Sequence, residues 1–325
     1  MTLYIARRLM SSLITLLGVA VILFVLFRLM PGDPTAQVIS PALDQAAQAR
    51  LKHAFGLDLP MWQQFFVYIR NMLSLQWGQS FTTGQPVADL LGHWLLNTML
   101  LMSAGLVLAV VLGVVLGILM AARRGGALDH VATVVGLVFQ AAPPFVIAIV
   151  LLIAFSYKLE LLPSSGMVAA GTDDNGAWAM LTSADFLKHL ILPTITISAV
   201  YVATPMLVMR DSMLEVLGSD FVEFARAKGL KPSRVLFGHA ARNALLAVVT
   251  VSSLILGFAI GGQIVIETVF SWPGMGKAMV DAALQHDYPV AQAAFFMMAV
   301  VVIVMNLLTD LSYSLLDPRI RFGTT

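Results

Sequence analysis

Six histidines, His53, His93, His130, His189, His239 and His286, are scattered along this sequence. No two stand at the i, i+4 spacing that would let one helix present both to a metal ion. With no cysteine in the chain, thiolate nucleophiles, disulfides and thiolate metal sites are excluded together. The string nearest to a phosphate-binding loop, Gly274-Met-Gly-Lys-Ala, lacks both the upstream glycine and the hydroxyl residue after the lysine. No catalytic constellation remains, and neither a metal nor a cofactor is expected on this chain. Arg28 and Asp310 are the ionisable groups nearest to being embedded in apolar sequence, but both fall close enough to its ends to reach water. A proton-coupled carrier would be expected to keep a carboxylate or histidine in the middle of such a segment, and none is evident.

Those segments dominate the composition. Of 325 residues, 59% are hydrophobic and only 11% charged, against about a quarter charged in ordinary soluble domains. A helix needs about 20 mostly apolar residues to cross the hydrocarbon layer, where every backbone polar group must be bonded internally. Six stretches qualify, approximately Leu9 to Met30, Leu95 to Met120, Val131 to Tyr157, His189 to Met209, Ala244 to Ile266 and Val290 to Leu316. The expected architecture is an all-α polytopic membrane protein with six transmembrane helices. Residues 1–30 would hold the first helix as a retained anchor, because the apolar run after Arg7 and Arg8 is too long for a signal peptide and no cleavage pattern follows. Residues 31–94 would form an extracytoplasmic loop with short amphipathic helices, and residues 95–325 the core with the other five spans.

Basic residues set the orientation. With Arg7 and Arg8 inside, twelve of the 19 Lys and Arg residues fall on the inner side, among them Arg123, Arg124, Arg210, Arg226, Lys228 and Arg234. Three of the other seven, Arg50, Lys52 and Arg70, lie deep in the long outer loop, where the rule carries little weight. Both termini are therefore expected in the cytoplasm. Seven of the 18 acidic residues fall inside and eleven outside, so the formal charge of +1 hides a basic inner rim and an acidic outer one.

In the outer loop Trp62, Phe65, Phe66, Ile69, Met72 and Leu73 recur at helical spacing as one apolar stripe. It reads as an amphipathic helix at the outer membrane surface or as a docking element for an extracytoplasmic partner. Gly113 with Gly117, and Gly257 with Gly261, carry the small-residue spacing that lets helices approach closely in lipid. Pro143 and Pro144 interrupt the third span, while Pro193 and Pro205 bracket the fourth. Thr194, Ser198 and Tyr201 share one face of the fourth span, either lining a polar pathway or bonding to a neighbouring helix. Glu267, Trp272 and Asp287 stand in a Gly- and Pro-rich outer segment, a solvated connection or part of an outer gate or contact surface.

The most charged region is the inner loop from Asp211 to Arg242. Asp220 reads as an N-cap, Glu223 completes a box-like pattern, and Gly229 supplies a left-handed C′ position, so Phe221 to Lys228 makes about two turns. A helix so sharply delimited at the inner mouth of a bundle suits a lever that fits a partner's groove.

The run Glu-Phe-Ala-Arg-Ala-Lys-Gly from Glu223 to Gly229 resembles the E-A-A-x-x-x-G loop of ATP-binding-cassette (ABC) importer permeases, with Phe224 replacing the first alanine. Its surroundings resemble the dipeptide, oligopeptide and nickel branch of that family: Arg-Asp-Ser-Met-Leu-Glu-Val-Leu from Arg210, Ala-Arg-Asn-Ala-Leu-Leu from Ala241, Pro-Gly-Asp-Pro from Pro31, Phe-Ser-Trp-Pro-Gly-Met-Gly from Phe270, Asp-Tyr-Pro-Val from Asp287 and Asp-Pro-Arg-Ile-Arg from Asp317. The resemblance covers the whole chain and looks closest to dipeptide permeases. One departure is Ala247, where many relatives have proline, so the start of the fifth span is expected to be less kinked.

The resemblance implies a type I ABC importer permease fold in a bacterial inner membrane. It further implies a second homologous permease subunit, two cytoplasmic ATPases that carry ATP and Mg, and an extracytoplasmic solute-binding protein. Asp220, Phe221, Glu223, Phe224, Ala225, Lys228 and Gly229 would couple to the ATPases. Thr194, Ser198 and Tyr201 are candidates to line the pathway, and Trp62, Phe65, Phe66, Glu267, Trp272 and Asp287 to form the outer gate or binding-protein contact. Relatives carry di- and oligopeptides, glutathione, metal chelates or opines, and nothing in this chain selects among them. The rival reading is an ATP-independent secondary transporter of small solutes.

Overall fold

In the computed structural model, the described residues are 2–29, 59–169, 171, 177–259 and 264–316. Among them every regular element is helical, apart from an isolated bridge between Gln79 and Pro86. Four helices have straight stretches long and apolar enough to cross a membrane: Ala6–Phe27, Val87–Ala122, Arg234–Ser253 and Tyr288–Thr309. Two bent pairs raise the number to six if each is one span. The motifs at Pro31 and Asp317, with His53 and Gly261, lie outside the described residues, as do the side chains of Arg28 and Asp310.

The bends fall in the two spans where prolines were expected to interrupt the backbone. Residues Val131 to Tyr157 divide into Ala127–Ala141 and Pro144–Lys158, which meet at 106°. Ala142 is extended (φ −72°, ψ 138°), as the residue before a proline tends to be, and Pro144 opens the next helix at a position whose N–H is not needed. In the fourth span Pro193 lies inside the continuous helix Ala184–Tyr201, and the 48° bend falls beyond it at Val202. Pro205 then occupies the first turn of Ala203–Leu217, where backbone donors have no intrahelical partner. The expected fifth span is described up to Ala259 and again from Ile264. Helix Ala241–Ala259 passes through Ala247 without a break, whereas Ile266 belongs to a separate short helix, Ile264–Val269.

The chain forms two compact units, Met1–Asn97 with Pro273–Leu307, and Thr98–Trp272 with Leu308–Thr325. In the first, Ala20, Leu23 and Phe27 bury one stripe of the opening helix Thr2–Leu29, while Leu13, Ile14 and Leu17 nearer its N-terminal end are exposed. Phe24 meets Phe65 edge to face at 5.3 Å, and Phe27 meets Tyr288 at 6.2 Å. Aromatic edges thus seat both the amphipathic helix Met61–Leu73 and the long helix Tyr288–Leu316 against it.

The second unit has two main apolar clusters. One gathers Leu101, Phe186, Leu192, Ile197, Phe270 and Trp272, and the other Ile118, Met209, Met213, Ala240, Ala244 and Val248. Its backbones approach closely through glycine. A Cβ on Gly113 would lie 2.8 Å from Pro205 Cγ, and one on Gly117 would lie 2.6 Å from Met206 O. The expected small-residue contact is therefore present at Gly113 and Gly117, and Gly105, set against Ile197, extends it two turns further.

Candidate functional site

The helix in the inner loop runs Asp220–Ala227, one residue earlier than expected at each end. Its N-cap is Ser219, not Asp220, and no capping box forms: the Ser219 hydroxyl donates back to Val216 O at 2.5 Å. Asp220 and Glu223 instead place two negative charges in the first turn, the favourable end of the helix dipole. At the other end Gly229 has φ +78°. Its N–H donates to Arg226 O at 2.9 Å and Leu230 N–H donates to Ala225 O at 3.4 Å, the paired bonds of a Schellman stop.

The two faces of this helix have different tasks. Val222 and Ala225 are buried against Val235 with Val216, Leu217 and Leu230, so Ala225 lies beneath the helix as part of its seat. Phe221 and Phe224 are 44% and 62% exposed and stand one turn apart. Lys228 Nζ sits 4.4 Å above the Phe224 ring. The outward surface is thus Asp220, Phe221, Glu223, Phe224 and Lys228, ending on Gly229: two aromatic rings amid charges, fixed from below by a small apolar core. Truncating exposed aromatics of this kind typically costs an interface more than truncating its charged rim.

The three residues on the fourth span are not equivalent. Ser198 is buried among neighbouring helices, and Thr194 Oγ1 is buried with no hydrogen-bond partner among the described residues. Tyr201 lines a cavity of about 250 Å³ with Ser103, Leu106, Val110, Pro205, Ser252 and Ile255, and these walls are almost wholly apolar. Helical spacing therefore joins the three on one face without bringing them to one polar channel.

The segment from Glu267 to Asp287 is not a solvated loop. In the second unit Glu267 is fully buried on Ile264–Val269 and its Oε1 accepts a bond from Thr98 Oγ1 at 2.5 Å. Trp272, also fully buried, stacks obliquely on Phe186 at 6.1 Å, and its backbone N–H donates to the Glu267 backbone carbonyl at 2.8 Å. These two residues are structural keystones of their unit and offer no contact surface.

In the first unit Asp287 is 2% exposed and ties helix Tyr288–Leu316 to the loop at Ser80–Thr82. Its Oδ2 accepts from Ser80 Oγ at 2.5 Å, Thr82 Oγ1 at 2.8 Å and Thr82 N at 3.2 Å. It lies in the wall of a polar hollow of about 210 Å³ shared with Trp94, Lys277, Asp281 and Gln285. On Met61–Leu73 the apolar stripe is largely outward: Trp62 and Phe66 are exposed, Phe65 packs on Phe24, and the buried positions are Gln64, Tyr68 and Met72. Burial pushes the Tyr68 phenol well above the ordinary tyrosine range.

Comparison with known proteins finds matches over nearly the whole chain. Residues 113–322 match the family described as binding-protein-dependent transport system inner membrane component, and residues 1–104 match its N-terminal counterpart. The chain belongs to this family. The permease is 36% identical to the oligopeptide transport system permease protein AppB of Bacillus subtilis (strain 168), covering 99% of this chain and 100% of that one. It is 37% identical to the di/tripeptide transport system permease protein DppB of Pseudomonas aeruginosa (strain UCBPP-PA14), over 98% of each chain. It is 33% identical to the glutathione transport system permease protein GsiC of Escherichia coli (strain K12), over 98% of this chain and 99% of that one.

It is accordingly a membrane-embedded permease subunit of an ABC importer and not an enzyme, with ATP hydrolysis on partner subunits. Membership of this family also sets aside the ATP-independent transporter. Among the described residues no three His, Asp or Glu side chains converge as metal ligands. Sequence reasoning on the permease missed Gly105, whose eight-residue offset from Gly113 was a readable signal, and the ion pair of Asp129 with Arg210, for which a separation of 81 residues left none.

Proposed function

We propose that this chain pairs with a second homologous permease to form a translocation pathway for di- or oligopeptides or similar small solutes, and that Asp220–Gly229 is its coupling element. The observation that carries the reading is the helix Asp220–Ala227 itself. It is held from below by Val222 and Ala225, stopped at Gly229, and presents Phe221 and Phe224 outward with no covering element among the described residues. Two rings of this kind suit the groove of a cytoplasmic ATPase. Nucleotide-driven closure of two such ATPases would move the helix as a lever and switch the bundle between inward and outward access. Each bent pair then counts as one of six spans, both termini face the cytoplasm, and the outer segments meet a solute-binding protein. The peptide class rests on the names of the relatives, which span oligopeptide, di/tripeptide and glutathione systems.

The test is to purify the assembled transporter carrying Phe224→Ala or Gly229→Val. Phe224→Ala should lower ATPase co-purification, and Gly229→Val should leave the permease inserted but lower uptake per ATP, because a β-branched residue resists φ > 0. Wild-type capture and wild-type uptake in both variants would refute the coupling role.

A further inference from the structure

Asp129 is buried, 3% exposed, at the start of Ala127–Ala141, and it holds three parts of the second unit at once. Arg210 grips it with a fork, Nε to Oδ1 at 2.5 Å and Nη2 to Oδ2 at 2.9 Å. Gly125 N–H, at a left-handed turn of φ +73°, donates to Oδ2 at 2.9 Å. Arg210 also reaches Asp211 through Nη1 at 2.8 Å, and its backbone N lies 3.0 Å from where a Cβ on Gly117 would be. One carboxylate therefore fastens the turn after Val87–Ala122, the first turn of Ala127–Ala141, and the helix Ala203–Leu217.

Beyond the ion pair, Met206 Cε lies in the notch at Gly136, 2.6 Å from where a Cβ would be. A Cβ on Gly136 would lie 3.5 Å from Ala203 Cβ, and Gln140 Nε2 donates to Thr204 Oγ1 at 3.2 Å. Asp129 opposite Arg210 and Gly136 opposite Ala203 make the two helices antiparallel, in close contact over two turns, with the ion pair at one end. That end is the one nearer the lever. Ala203–Leu217 stops at Gly218, Ser219 caps the helix Asp220–Ala227, and Val216 and Leu217 pack beneath it.

We propose that the Asp129–Arg210 pair is the joint through which displacement of the Asp220–Ala227 helix is carried into Ala127–Ala141 and so to the 106° bend beyond it. The inference rests on the coupling role proposed above. A two-point fork fixes the angle between the two helices as well as their distance. Parting the pair would strand a buried carboxylate, so the two helices move together in preference to separating. Asp129 and Arg210 are positioning residues and touch no solute.

The experiment uses the complete transporter, with its paired permease, ATPases and binding protein, in proteoliposomes. Solute imported and ATP hydrolysed are measured together for wild type, Asp129→Asn, Asp129→Glu, Arg210→Lys and Phe224→Ala. Asp129→Asn should leave ATP hydrolysis in place while import per ATP falls about tenfold, a size typical of coupling between sites. Asp129→Glu, which keeps the charge, should recover part of that loss, and Arg210→Lys, which lacks the fork, should fall in between. An unchanged ratio in assembled Asp129→Asn overturns the proposal, whether or not hydrolysis and import fall together, since a parallel fall is the mark of a purely structural pair. Should Asp129→Asn fail to assemble, Arg210→Lys decides by the same ratio. If Phe224→Ala lowers ATPase capture while Asp129→Asn stays coupled, only the joint is wrong; if Phe224→Ala changes nothing, the lever itself is wrong.

Discussion

Gly117→Ala is the sharpest structural test, because one methyl meets backbone with nowhere to go. Its Cβ would stand 2.6 Å from Met206 O, 2.7 Å from Met209 Cβ and 3.0 Å from Arg210 N, all on Ala203–Leu217. Ordinary contact lies near 3.5–4.0 Å between carbons, so the two helices must part by roughly 1 Å, and a gap of that size forfeits a quarter to a half of the dispersion energy along the seam. Overpacking of this kind costs about 1–3 kcal/mol. Alanine returns about 1 kcal/mol by its better helix propensity. Gly92, on the same helix Val87–Ala122, has nothing within 4 Å of its Cβ position, so Gly92→Ala should receive the propensity gain with no penalty.

The two variants should therefore differ by about 1–3 kcal/mol with opposite leanings, Gly92→Ala at or above wild type and Gly117→Ala at or below it. The chain has no cysteine for thiol-reactive dyes but has 5 tryptophans, so apparent Tm in detergent is read by intrinsic fluorescence. A Gly117→Ala protein that melts at or above Gly92→Ala would refute the close-crossing argument. The same displacement should loosen the grip of Arg210 on Asp129, so Gly117→Ala should also lower import per ATP, whereas Gly92→Ala should not.

Two further outcomes follow from buried polar groups. Tyr68→Phe removes a buried hydroxyl with no hydrogen-bond partner among the described residues, and should be neutral or stabilising by up to about 1 kcal/mol in the same melt. The folded phenol keeps its proton above about pH 10, where an unfolded tyrosine ionises, so wild type should lose stability as the pH rises from there and the Phe variant should lose less. Asp287→Ala strands the hydroxyls of Ser80 and Thr82 and removes the charged acceptor at the start of Tyr288–Leu316, and should cost about 2–4 kcal/mol, with a clear fall in Tm. Equal melting of Asp287→Ala and wild type would remove that carboxylate's anchoring role.

Much of the inner helix was legible in the chain itself, since its controls are local. Gly229 stops it through a backbone requirement that only glycine meets without strain, whereas its division into a seat of Val222 and Ala225 and a face of Phe221 and Phe224 came from the structure, Ala225 having been counted among the coupling residues. The cap was misread by one residue because Ser219 and Asp220 both suit the position, and the choice falls to the hydroxyl of Ser219 bonding back to Val216. Glu267, Trp272 and Asp287 were misread more deeply. Gly- and Pro-rich sequence carrying charge has the composition of a surface loop, and only partners at Thr98, Phe186 and Ser80, distant in sequence, turn it into buried structure.

Periodicity and charge, being properties of neighbouring residues, determined by themselves the helical class, the apolar segments and the punctuated helix of the inner loop. The angle of each bend, the residues that Gly105, Gly113 and Gly117 meet, and the union of Asp129 with Arg210 were decided by tertiary structure alone. Each depends on where a second helix stands, and hydrophobicity, which is blind to direction, sets that a helix is buried in lipid or protein without setting which residue of another helix it meets.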